Sequence, residues 1–150
     1  MLNKDYKEML QLLSDEGAEY FVVGAYALAA HGYPRATGDL DIWIRASVRN
    51  ANKVYTALRK FGAPLEHLAK KDLTSEDLVF QIGVAPRRID ILTGISGVAF
   101  DEANADKIFL KIDGLQVPFI SAAKLIKNKE ATGRPRDIDD AAQLRKLLQS

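Results

Sequence analysis

The chain has 150 residues, with 21 Lys and Arg against 20 Asp and Glu, a net charge of +1, 47% apolar residues and no cysteine. That balance describes one ordinary folded domain and excludes repeat arrays, disordered tails and disulfide scaffolds. At this length roughly 68–70% of the unfolded surface is buried on folding, so no metal or disulfide staple is needed, and with two His and no Cys a zinc site is not expected. No apolar run approaches the ~20 residues of a membrane span. The first residues carry acids and no apolar core of a signal peptide, so cytoplasm is the expected address. Near-neutral charge also excludes a protein whose whole surface grips nucleic acid.

In chain order, residues 4–16 place Leu2, Met9, Leu12 and Leu13 at helical spacing before Gly17. Tyr20–Val23 is a short apolar strand that turns at Gly24 into the Ala-rich helix 25–30, an α/β signature. Asp39–Ile44 alternates with period two and predicts a strand, followed by a helix over 50–61 closed by Gly62. Residues 78–82 and 88–92 read as one hairpin. Residues 108–112 and 116–120 read as another, around the turn pair Asp113-Gly114. Two helices, 121–131 and about 136–148, flank Thr132-Gly-Arg-Pro135, where Gly stops one and Pro starts the next. The expected architecture is a mixed sheet with packed helices in a single domain spanning 1–150. Its core covers about 18–120 and its C-terminal helical pair 121–148.

Asp39 and Asp41 do not fit a plain structural pattern. Two apart on a strand, they share a face about 6.6–6.8 Å apart, while Leu40, Ile42 and Ile44 take the other. Like charges so placed disfavour one another unless a cation joins them, and oxygen donors without sulfur favour Mg²⁺ or Mn²⁺. The bland alternative is a solvated polar face. Asp90 repeats the pattern in Arg88-Ile-Asp-Ile-Leu92, where an edge-strand solubiliser is the alternative. Were the two strands adjacent, three carboxylates would converge as in a two-metal clamp. Upstream, Gly24-Ala25 lets backbone N–H groups approach a phosphate, or simply makes a tight turn.

Together these residues resemble the minimal nucleotidyltransferases of the DNA polymerase β-like superfamily. The shared pattern is an apolar strand with Gly and a small residue (Val22-Val-Gly-Ala25), then Asp-apolar-Asp-apolar (Asp39-Leu-Asp-Ile42), then a third acid on a later strand (Asp90). The run Gly32-Tyr-Pro-Arg-Ala-Thr-Gly-Asp-Leu-Asp41 and the tail Asn128-Lys-Glu-Ala-Thr-Gly-Arg-Pro-Arg-Asp137 are most similar to abortive-infection (AbiEii-type) toxin domains. Ala25 departs from the Gly or Ser usual there. The resemblance implies a mixed-sheet nucleotidyltransferase fold and transfer of a nucleoside monophosphate from a nucleoside triphosphate to an acceptor hydroxyl, with release of pyrophosphate. It assigns metal binding and catalysis to Asp39, Asp41 and Asp90, with Mg²⁺ or Mn²⁺ as cofactor and Asp90 able to help deprotonate the acceptor. Gly24, Ala25, Arg35, Thr37, Lys129 and Asp137 fall to the nucleotide.

In helix 121–131, Lys129 projects on the face of Ala122, Leu125 and Ile126, where a triphosphate would partner it; Lys124 and Lys127 point to solvent. Asp137 shares a face with Ala141, Leu144 and Leu148, either supporting the site or capping the helix. His31 reads as a helix C-cap. Trp43 either walls the nucleotide pocket or closes the sheet. The acceptor is open among a tRNA 3′ end, a protein hydroxyl and a small molecule such as an aminoglycoside. The basic run 124–136 leaves room for RNA, and a cognate antitoxin is a candidate partner. No membrane partner is expected. The competing class is a non-enzymatic module of the same fold, sensing nucleotide or docking a protein.

Overall fold

The computed structural model describes residues 2–34, 38–84 and 86–149. The elements are α1 (Lys4–Asp15), β1 (Tyr20–Val23), α2 (Gly24–Ala30), β2 (Leu40–Ile44), α3 (Val48–Phe61), β3 (Val79–Ile82), β4 (Ile89–Leu92), α4 (Phe100–Ala105), β5 (Ile108–Ile112), β6 (Leu115–Phe119), α5 (Ala122–Thr132) and α6 (Pro135–Gln149). Every element expected from the sequence is present. The short helix α4 and a 3₁₀ turn at Lys70–Thr74 add to them; neither is long enough for apolar periodicity to announce it. Asn3, Ser47 and Ser121 cap α1, α3 and α5 by accepting from the N–H groups of Tyr6, Asn50 and Lys124.

The six strands form one mixed sheet in the order β3-β4-β2-β1-β6-β5. β1 runs antiparallel to β2 and parallel to β6, while β2 runs parallel to β4. Both hairpins form as the turn signals require: β3 pairs with β4 and β5 with β6. Asp113 and Gly114 hold φ values of 51° and 85°, the positive pair that a tight hairpin turn needs. Asp39 is a correction. β2 begins at Leu40, so Asp39 sits just ahead of the strand rather than inside it. The Leu40 N–H donates to the Arg88 carbonyl at 2.9 Å, which still fixes this corner of the sheet.

One face of the sheet, bearing Tyr20, Val22, Ile42 and Ile44, is covered by α1 and α3. The Tyr20 hydroxyl meets Ser14 at 2.7 Å, and the buried Asn50 amide donates to the carbonyls of Glu19 and Arg45. In α1 the buried residues are Tyr6, Met9, Leu10 and Leu13, an i, i+3, i+4, i+7 stripe. The stripe differs from the expected one, because Leu12 is only partly buried while Tyr6 and Leu10 are fully so. The hydrophobic core therefore takes in α1 as well. The Tyr6 hydroxyl donates to the Arg88 carbonyl at 3.2 Å, and burial first, then the charges of Tyr26 and Asp39, push it up to about 12. The other sheet face carries Phe21, Asp41, Trp43 and Asp90. Trp43 packs edge-on against Phe21 and against Phe100 of α4, at 5.7 and 5.2 Å between ring centroids.

Candidate active site

β2 and β4 run parallel and in register, so that Asp41 faces Asp90 as a direct pair, with Leu40 opposite Ile89 and Trp43 opposite Leu92. Neighbouring strands lie about 4.8 Å apart, which brings two carboxyls of one sign together beneath a cleft. The Asp41 carboxyl is raised to about 7, first by burial, then by the charge and hydrogen bond of Asp90 and the charge of Asp39, with Arg88 only partly offsetting them. Arg88, two residues before Asp90 on the same face, donates from Nη2 to Asp39 Oδ2 at 2.7 Å and meets Asp90 Oδ1 through Nε at 3.0 Å. The three predicted acids thus come together, joined by a guanidinium that the sequence reading left unassigned. Its signal was present: Arg88 stands one residue ahead of β4 and two before Asp90, where an extended chain keeps both on one face.

Gly24 sets the other edge of this cluster. It has φ +68°, and a Cβ built there would lie 2.2 Å from Asp41 Oδ2. Any side chain is excluded twice over, by the left-handed backbone and by the carboxylate. Ala25 follows and lines the same cleft. Gly24→Ala is expected to cost about 1–2 kcal/mol for the left-handed residue alone, lowering Tm by about 2–8 °C in a domain of this size, and to drive the Asp41 carboxylate out of place. A thermal melt with a circular dichroism spectrum checks this; an unchanged Tm would show that the two residues do not meet.

The facing wall is the corner between α5 and α6. Lys129 is inward, its ammonium 3.3 Å from Asp137 Oδ1 and 3.2 Å from Asp140 Oδ2, with only 13% of the side chain exposed. Burial works to raise the Asp137 carboxyl, but the Thr132 hydroxyl, Lys129 and Arg134 together hold it below its ordinary value. Asp140 is 2% exposed and is part of the ion-pair cluster. Leu148 is 55% exposed and leaves the face formed by Asp137, Ala141 and Leu144. The loop before α4 closes the cleft: the Asn128 amide donates to the Ser96 carbonyl at 2.9 Å, and a Cβ at Gly97 would lie 2.4 Å from that of Ala131.

Sheet floor, helical corner and loops enclose about 1280 Å³, lined by Gly24, Ala25, Asp39, Asp41, Trp43, Arg88, Lys129 and Asp137 among others. Sites for one drug-sized ligand span ~300–1,000 Å³, so the cleft is roomier than one such ligand needs. Trp43 walls this cleft and packs the sheet at once. His31 caps α2, with Nε2 2.7 Å from the Ile120 carbonyl. Arg35 and Thr37 lie outside the described residues. The basic run 124–136 is largely neutralised: Lys124 pairs with Asp106, Lys127 with Glu102, Lys129 with two aspartates and Arg134 with Asp137. Lys124 is consequently half covered instead of solvated.

A divalent cation would find only carboxylate oxygens here, the donor chemistry of Mg²⁺ or Mn²⁺. As the side chains stand, no group of three acids or imidazoles among the described residues is arranged to hold a metal, because the Arg88 guanidinium takes up the space between Asp39 and Asp90. The donor chemistry is that of a hard cation, with Arg88 seated among the three carboxyls.

No family model and no curated protein matches the chain. Solved structures do. A candidate nucleotidyltransferase of Thermotoga maritima, TM1012, superposes with a TM-score of 0.58 over 99% of this chain and 96% of its own, at 18% identity. The chain has a nucleotidyltransferase fold. The lincosamide antibiotic adenylyltransferase LnuA, solved with lincomycin bound, is similar at TM-score 0.59 and 14% identity, covering 98% of each chain. The antibiotic-resistance factor ANT(2'')-Ia is similar at TM-score 0.59 and 15% identity, over 95% of this chain and 80% of its own. Among the described residues no helix is long and apolar enough to cross a membrane.

Proposed function

We propose that the chain is a nucleotidyltransferase that moves a nucleoside monophosphate from a nucleoside triphosphate to an acceptor hydroxyl. The observation that carries this reading is the in-register pairing of Asp41 with Asp90, with Asp39 beside them, on the floor of a cleft whose facing wall presents Lys129. The antibiotic adenylyltransferases among the similar structures support it. In the reaction the acceptor oxygen bonds to the α-phosphorus, the bond from that phosphorus to pyrophosphate breaks, and the acceptor proton passes to a base.

Lys129, with the backbone of Gly24 and Ala25, is placed for the β- and γ-phosphates, and Asp137 holds Lys129 toward them. Asp90 stands on the side away from that corner and takes the acceptor proton. Asp39, Asp41 and Asp90 would hold Mg²⁺ or Mn²⁺, which when bound neutralises charge on the transferring phosphoryl group. The rest of the catalysis is positioning, which this cleft supplies from rigid elements. The resemblance to abortive-infection domains extends the proposal to the toxin half of a toxin and antitoxin pair.

Arg88 favours a second reading. A guanidinium seated in the acid cluster satisfies Asp39 and Asp90 without any metal, as a non-enzymatic module that senses nucleotide or binds a partner protein would require. Nucleotide binding and partner docking separate in a melting series with ATP, CTP, GTP and UTP, each with and without Mg²⁺, and release of pyrophosphate then parts an enzyme from a nucleotide sensor. Ligand at 100 times its Kd adds about 2.7 kcal/mol, a rise of about 5–11 °C for this chain length. A Mg²⁺-dependent rise with at least one triphosphate is expected, and no rise with any would leave the partner-binding module.

A further inference from the structure

Among the described residues the sheet ends at β5, and residues 108–112 make no backbone hydrogen bond outside their hairpin. The turn Asp113-Gly114 makes Ile112 and Leu115 the hydrogen-bonded pair that closes a two-residue hairpin. By alternation Ile108 and Leu110 also bond to β6, while Phe109 and Lys111 turn their N–H and C=O groups outward. Pro118, which has no N–H to give, stands opposite Phe109, as that alternation requires.

Folded proteins blunt such an edge with proline, bulges or cover. β5 has none of these: it pairs with β6 from Ile108 to Ile112 without a bulge and reads Ile-Phe-Leu-Lys-Ile, with Phe109 54% exposed. Lys111 is its only charge, and whether a lysine bars a further strand depends on what it meets there. The other edge strand, β3, carries no charge from Val79 to Ile82 and so singles out no register. Next to β5 stand Lys107 and Asp113, neither with an oppositely charged partner among the described residues. Lys107 lies over the rings of Phe21 and Phe109, 5.9 and 5.6 Å from their centroids.

A second copy of the chain answers this pattern. A two-fold axis normal to the sheet makes the pairing isologous and antiparallel, and it passes through a residue because opposed side chains share a face. Centred on Leu110, it sets Lys107 against Asp113 of the second copy, Ile108 against Ile112 and Phe109 against Lys111, each twice. Centred one residue earlier, it opposes Lys107 to Lys111; centred one later, it opposes Lys111 to itself. Like charges directly opposite are destabilising, whereas the Leu110 register gives ion pairs and a cation at an aromatic ring. It also hydrogen-bonds the outward groups of Phe109 and Lys111 to one another. From this self-complementary edge we infer that two copies of the chain join through β5, antiparallel about Leu110, into one continuous sheet. β1 and β6 separate β5 from β2, so the assignment stands apart from the nucleotidyl-transfer reading.

Sedimentation of the wild type from micromolar to millimolar concentration is expected to show a species of twice the mass of one chain. Phe109→Lys sets like charges against each other and should stay monomeric throughout. Phe109→Lys/Lys111→Glu restores opposite charges in the same register and should dimerise again. Both positions are exposed, and melts check that each variant is folded. The chain has no cysteine, so Leu110→Cys supplies a single thiol. Leu110 would face its own copy in a non-hydrogen-bonded pair, with Cα atoms about 4.5 Å apart, inside the ~4.4–6.8 Å that a disulfide spans. Oxidation should cross-link this variant and leave Lys111→Cys, which faces Phe109, as single chains. A wild type that is monomeric at every concentration overturns the assignment and leaves the edge to an extended segment of another protein. Undiminished dimer in Phe109→Lys, a charge-restored double variant that stays monomeric, or equal cross-linking of the two thiol variants overturns it as well.

Discussion

Asp41→Asn is expected to make the ligand-free protein more stable at pH 8 while abolishing nucleotidyl transfer. The Asp41 carboxyl is raised to about 7 in the folded chain, chiefly by burial and then by Asp90, against about 3.9 when unfolded. The folded state binds the proton more tightly, so between these values it holds more protons than the unfolded state and stability falls as pH rises. The loss accumulates from about pH 4 to pH 7 and is complete above. At one pKa unit per 1.36 kcal/mol it reaches about 4 kcal/mol. The amide variant lacks this penalty. Its Tm should exceed that of wild type by about 8–16 °C at pH 8, with the gap closing toward pH 4. Melts at pH 4, 6 and 8 in a metal-free buffer check it, and a variant less stable than wild type at pH 8 would mean that Asp41 is not the strained carboxylate of the cluster. A residue that costs stability and is kept in place is what a site, rather than a scaffold, demands.

Lys129→Ala should have the opposite sign and a comparable size. Its ammonium compensates Asp137 and Asp140, and Asp140 is 2% exposed. Removing one partner of such a buried group costs about 3–5 kcal/mol, a fall in Tm on the order of 10 °C. Lys124→Ala removes a pair with Asp106, which is 41% exposed, and should cost at most about 1 kcal/mol. Stability alone does not separate a structural from a phosphate-binding lysine, whereas the double variant Lys129→Ala/Asp140→Asn does. It relieves the uncompensated charge and regains much of the lost Tm, but triphosphate affinity stays low. Recovery of affinity together with stability would confine Lys129 to holding the helical corner together.

Much of this arrangement could be read from local rules. The period of two around Asp41, the apolar flanks of Asp90, and the turn pair Asp113-Gly114 each act over a few residues, and the structure follows them, except that β2 starts one residue late and leaves Asp39 ahead of it. What depends on contacts distant in sequence could not be read. That Asp41 faces Asp90 follows from β2 and β4 pairing in parallel across α3 and β3. That Lys124 and Lys127 are neutralised depends on Asp106 and Glu102, the latter on a helix too short to predict. Tyr6 falls on the helical stripe of α1 with Met9, Leu10 and Leu13, but that its hydroxyl reaches the Arg88 carbonyl depends on a contact 82 residues away. Asp140 lies near a helix start, where an acid reads from sequence as a cap. Only the approach of α5 shows that it faces Lys129.

The fold itself leaves the choice between enzyme and binding module open to a direct test. α-Labelled ATP, CTP, GTP and UTP are incubated in Mg²⁺ with wild type, Asp41→Asn and Asp90→Asn, together with an acceptor mixture of hydroxylated amines, tRNA and protein. The account predicts label transferred to one acceptor class with an equivalent of pyrophosphate released, and loss of both by at least a hundredfold in each variant. Transfer that persists in Asp41→Asn, or a wild type that binds triphosphate and never releases pyrophosphate, would contradict it.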